Sequence, residues 1–154
     1  MANRVKARLT ELGIDLPEVA APAGNYLPTV QAGNLLHVSG QLPLRDGEVA
    51  YCGRLGDGLA VDDGIAAARL CALNIVAQAK AALGDLDRVR RVVKLTGYVA
   101  SAPDFTEQPT VINGASDLMA DVFGAAGRHA RAAVGVAALP LGAAVEIEAV
   151  LEVI

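Results

Sequence analysis

Arg131 opens the apolar run ARAAVGV, and Glu146, Glu148 and Glu152 punctuate the run VEIEAVLEV that ends the chain. A guanidinium is the preferred clamp for a carboxylate, because it donates two parallel hydrogen bonds and keeps its charge. A carboxylate such as Glu146 could take and return protons beside a ligand so held. Taken alone, however, Arg131 is more simply a surface charge at a strand end, and Glu146 a solvent-facing strand residue. Asn113 lies beside Asp117 at the flank of an apolar helical stripe, where an asparagine is ordinary. His37 and Ser39 share a strand face by periodicity alone, without the sharp turn that activates a serine nucleophile. The two histidines, His37 and His129, have no carboxylate at ligand spacing, so no metal site is expected. GRLGDG (residues 53–58) has neither the order of a dinucleotide-binding turn nor the Lys-Ser/Thr of a phosphate loop.

The elements that must position these groups follow from hydrophobic period. Val5, Leu9 and Leu12 recur at helical spacing before Gly13, and a proline-rich extended arm follows, so residues 1–23 read as a helix and an arm. NLLHVSGQLPL reads as strand, and Asp-Gly within RDGE (residues 45–48) marks a hairpin, which together suggest an antiparallel meander. A long helix is predicted over Asp62–Leu83. Its stripe is Ile65, Ala68, Ala72, Ile75, Val76, Ala79 and Leu83, with Asp63, Asn74 and Gln78 on the opposite side. VRRVVKLTGYVAS reads as strand. A second long helix over Thr110–Phe123 carries Ile112, Ala115, Met119 and Val122 on its inner stripe and stops at Gly124. In the last run Val145, Ile147, Ala149, Leu151 and Val153 point one way and the glutamates the other. A hairpin turning about Leu139–Gly142 would pair this strand with the one that Arg131 opens. The sum is a single two-layer α+β domain over residues 1–154, with an antiparallel or mixed sheet and two helices on one face. The other face calls for a partner subunit.

Composition narrows the function classes. The 154 residues carry a net charge of −4, and the short basic runs lie beside acidic neighbours, so no nucleic-acid surface is expected. Cys52 and Cys71 make neither a C-x-x-C pair nor a disulfide framework, which fits a reduced, cytoplasmic compartment. No signal-peptide core and no run near the roughly 18 apolar residues of a membrane span is evident.

Several stretches, taken in order, resemble one known family. HARAAVGVAALPLGAAVEIEA is similar to the carboxy-terminal signature of the RidA/YjgF family, and GNLLHVSGQLPL to its early strand ending in Ser-Gly-Gln. TVINGASDLMADVF resembles its second helix, and GNYLPTVQAGN the arm before the first strand. Two positions depart from the better-known pattern: Ala133 stands where a cysteine is common and Gly135 where a glutamate is. The resemblance implies a chorismate-mutase-like fold, a homotrimer with clefts between subunits, and hydrolysis of reactive 2-imino or enamine acids to 2-keto acids and ammonia. By matching positions, Arg131 would bind the substrate carboxylate and Glu146 would position or activate water. Tyr26, Gly40 and Asn113 would line the pocket. The implied ligand is a small carboxylate-bearing metabolite, with no metal, organic cofactor or membrane required. A keto-acid-binding protein without turnover is the alternative from the same residues.

Overall fold

The computed structural model describes residues 3–19 and 21–154. A mixed five-stranded sheet runs in the order β1 (Thr29–Ala32), β2 (Leu35–Gln41), β9 (Val145–Val153), β7 (Val89–Ala100) and β8 (Ala130–Val136). All neighbours are antiparallel except β7 and β8, which run parallel. Two small ribbons, β3 (Leu44–Arg45) with β4 (Glu48–Val49) and β5 (Arg54–Leu55) with β6 (Gly58–Leu59), bridge β2 to the first long helix. The β3–β4 turn is the expected Asp-Gly hairpin, with positive φ at Asp46 and Gly47.

Three helices cover one face of the sheet, rather than two. They are α1 (Arg4–Glu11), α2 (Val61–Leu83) and α3 (Gln108–Phe123). The N-terminal helix is docked, with Val5 and Leu9 buried in the same core as α2 and α3, and the expected arm follows it, residues 14–19 and 21–28 having neither helix nor strand. The alanine stripe of α2 lies beneath β2 and β9, with Ala68, Ala72, Ile75 and Ala79 wholly buried. By length and composition this helix is apolar enough to cross a bilayer, against the expectation from the sequence. Its burial against the sheet makes it a core helix.

Close approach between layers depends on missing side chains. A Cβ on Gly114 of α3 would lie 2.2 Å from the Ile65 carbonyl oxygen of α2, so the helices cross backbone to backbone. A Cβ on Gly97 of β7 would meet Ile112 at 2.5 Å, so Ile112 fills the space over that strand. Burying such an Ile or Leu contributes about 1.5–3 kcal/mol, which is how an aromatic-poor chain builds its core.

Two further expectations need correction. Asn74 and Gln78 are not on a solvated side of α2 but buried. Asn74 Nδ2 donates to the carbonyls of Leu42 and Leu44, tying the loop after β2 to the helix. Gln78 Nε2 meets Gln41 Oε1 at 3.5 Å. The strands flanking Leu139–Gly142 do not form a hairpin either. β8 pairs only with β7, and β9 lies beyond β7, between β7 and β2. Parallel pairing satisfies the same alternation of side chains, so period alone could not separate the two topologies.

Candidate active site

Arg131 stands opposite Leu95 in the β7–β8 register, which turns its side chain to the helix-covered face. There it meets α3. Nη1 donates to Asn113 Oδ1 at 2.7 Å and to Ser116 Oγ at 3.2 Å. Residues 113 and 116 are one turn apart on α3, so they present neighbouring acceptors to one nitrogen. Among the described residues Nε and Nη2 make no hydrogen bond, and no carboxylate lies within ion-pair distance. The guanidinium is half-buried, fixed through one nitrogen, and presents the edge that grips a carboxylate side-on. An open groove of about 300 Å³ lies against it, lined by Ser116, Asp117, Arg128, His129 and Arg131.

Glu146 is built from the other side. It stands opposite Tyr98 in the β7–β9 register, on the sheet face without helices. A bulge in β2 places Ser39 and Gly40 between the pairs Val38–Ala149 and Gln41–Ile147. A Cβ on Gly40 would fall 2.2 Å from Glu146 Oε2, so the absent side chain is the space the carboxylate occupies. The Ser-Gly-Gln run thereby has three jobs. Ser39 Oγ donates to the Leu27 carbonyl at 2.7 Å and holds the arm, Gly40 makes room for Glu146, and Gln41 reaches α2. With its proton given to Leu27, Ser39 is no nucleophile partner for His37.

Burial, then the charge of Glu148, raises the Glu146 carboxyl above its ordinary pKa. Tyr98 donates to Glu148 Oε1 at 2.6 Å, and that bond is the first cause of a raised pKa at Tyr98. His37, Ser39, Lys94, Thr96, Glu148 and Val150 line a second groove of about 330 Å³ on this face.

The geometry thus joins Arg131 with Asn113, and Glu146 with Gly40. It puts the two pairs on opposite faces of the sheet, with β7 between their strands. Tyr26 belongs to neither pair: it is 49% exposed, and its hydroxyl accepts from the Ala23 N–H of its own arm. Ser116 and His129 were missed from the sequence, although both touch this site: Ser116 Oγ is 2.9 Å from His129 Nε2. The signal was present. His129 lies two residues before Arg131, just ahead of β8, and Ser116 follows Asn113 by three on a helix, so each stands close in sequence to a residue already singled out.

A mixed sheet covered by three helices, with this order and crossover, is the chorismate-mutase-like α+β fold. The chain belongs to the YjgF family: the family profile described as "YjgF/chorismate_mutase-like, putative endoribonuclease" matches residues 6–152. It is 60% identical over 152 residues to Protein TCP17 of Trypanosoma cruzi, covering 98% of this chain and 95% of that one. It is 34% identical over 138 residues to the RutC family protein y4sK of Sinorhizobium fredii, covering 90% and 94% of the two. Among solved structures, Atu1372 of Agrobacterium tumefaciens, a protein of unknown function, superposes with a TM-score of 0.90 at 54% identity, covering 99% of this chain and 93% of that one.

Proposed function

We propose that this protein hydrolyses reactive 2-imino or enamine acids to 2-keto acids and ammonia, in clefts between the subunits of a cytoplasmic homotrimer. The observation that carries the reading is Arg131, a half-buried guanidinium whose Nε–Nη2 edge has no partner among the described residues. A 2-imino acid offers a planar carboxylate to that edge and sets its C=N carbon at a defined distance from it. Water adds to that carbon to give a carbinolamine, which collapses to the keto acid with loss of ammonia. The attacking water gives up a proton and the departing nitrogen gains one, with no change in oxidation state. Glu146 suits that relay, because its raised pKa brings it toward the working range of a general base and acid. Such chemistry asks for a clamp, a placed water and a proton relay, and the proposal assigns it no metal or organic cofactor.

The trimer is part of the proposal because one chain turns Arg131 and Glu146 away from each other. A neighbour packed on the open face can bring its Arg131 edge toward this chain's Glu146. Val30 and Val134 stand on that face, opposite His37 and Tyr98, and are 51% and 43% exposed. Packing against another subunit would bury them. The net charge of −4 argues against an RNA backbone as the ligand, whatever the family description suggests.

The test is to generate imino acids in situ with an amino-acid oxidase and follow keto-acid release with and without the protein. Acceleration supports the proposal. Saturable keto-acid binding without acceleration would make this a binding protein instead.

A further inference from the structure

We infer that His129 and Ser116 are positioning residues that set the orientation of the Arg131 clamp, through a hydrogen-bond relay of fixed polarity anchored on the Gly127 carbonyl. The inference rests on the carboxylate-clamp reading of Arg131 and extends it to two residues that do not touch the ligand edge.

The polarity follows from one distance. His129 Nδ1 lies 2.6 Å from the Gly127 carbonyl oxygen, and a carbonyl only accepts, so Nδ1 carries the proton. In the neutral ring Nε2 is then bare, and its partner at 2.9 Å is Ser116 Oγ. The Ser116 hydroxyl therefore points its proton at His129. Its lone pairs remain to accept from Arg131 Nη1 at 3.2 Å. Left to itself a mid-helix serine can turn its proton to a carbonyl one turn back, or toward another acceptor. His129 removes that freedom and keeps an acceptor facing the arginine.

The anchor is rigid. Gly127 is buried, and a Cβ there would lie 2.0 Å from the Met119 carbonyl oxygen of α3. The turn carrying the Gly127 carbonyl is thus pressed against the helix that carries Ser116. Asn113 accepts one Nη1 hydrogen and Ser116 the other, which holds the guanidinium plane and leaves Nε and Nη2 for the ligand. Without Ser116, Nη1 keeps one acceptor and the plane can swing about it.

The experiment has a ligand-free and a ligand-bound arm. Long-range 15N–1H spectra of the parent should show His129 protonated at Nδ1 only, and Ser116→Ala should shift its Nε2 resonance. The Arg131 Nε–Hε signal should report a more mobile side chain in Ser116→Ala and His129→Ala than in the parent. Titration with pyruvate should give a Kd, and imine turnover a KM, raised on the order of tenfold in both variants, as for one lost hydrogen bond to a charged group. The value of kcat should stay within about twofold, because the clamp holds substrate and transition state alike. Ser116→Thr, which keeps the hydroxyl, should restore most of the loss, with circular dichroism as the folding control. If Ser116→Ala and His129→Ala leave Arg131 as ordered as in the parent and bind pyruvate as tightly, the relay is overturned while the clamp stands. If Arg131→Ala itself binds pyruvate like the parent, the clamp reading fails, and the Nε–Hε dynamics still decide whether the relay orders the side chain.

Discussion

Arg131→Ala removes the charge and the open Nε–Nη2 edge together, so a bound carboxylate loses its counter-ion and two hydrogen bonds. In a partly desolvated groove the expected cost is about 2–5 kcal/mol of keto-acid affinity, read by calorimetry. Arg131→Lys should recover only part, because an ammonium cannot reach Asn113 and Ser116 while gripping a planar ligand. Glu146→Gln should spare that affinity and slow turnover, since it keeps the shape and loses the proton acceptor. The same variant carries a stability signature. The Glu146 pKa is raised in the folded chain, so the folded state binds the proton more tightly than the unfolded one. The ionised carboxylate therefore weighs against folding once pH rises through that raised value. Glu146→Gln should melt higher than the parent at pH 7. The gap should close as pH falls through the raised value toward the ordinary carboxylate range. A parent that melts higher at pH 7 would show that Glu146 gains more from its surroundings than burial costs it.

Among the elements, α1 owes its start to a distant residue. Asn3 offers no side-chain cap; instead Asp87, in the 3-10 turn before β7, accepts from the N–H groups of Arg4 at 2.9 Å and Val5 at 2.8 Å. The bond from Val5 is the first cause that lowers the Asp87 pKa, with burial opposing it. A lowered folded value means the stabilisation is complete above the unfolded pKa and is lost as pH falls through the folded one. Asp87→Ala should cost about 1 kcal/mol in urea melts, as for loss of a helix cap. Amide exchange in Val5–Leu9 should quicken more than in α2. This cap could not be read from sequence, because its parts lie at opposite ends of a long stretch of chain. What was legible came from local period: α2, α3 and β9 appear where their apolar stripes predicted, and Gly84 and Gly124 end the helices. What was not legible depended on partners. Asn74 and Gln78 look like solvated side chains until the loop after β2 brings carbonyls and Gln41 to them. Arg131 and Asn113 were named for one pocket through the family resemblance, but their hydrogen bond, like the part of Ser116 and His129, came only through the folded arrangement.

For the whole molecule, light scattering at micromolar concentration should give three chains per particle, and a compact monomer would remove the second half of the proposed site. The sheet keeps Arg131 and Glu146 of one chain back to back, and this has a genetic meaning. In the proposed trimer neither residue serves its own subunit's partner, so each chain would lend one half of a site to a neighbour and borrow the other. Two impaired variants, Arg131→Ala and Glu146→Gln, should then complement when unfolded together and refolded. With equal amounts and random assembly, a junction regains both intact groups in about one case in four, so about a quarter of parental turnover should return. If each active centre were instead built within one chain, every subunit in the mixture would carry a lesion and no activity would reappear.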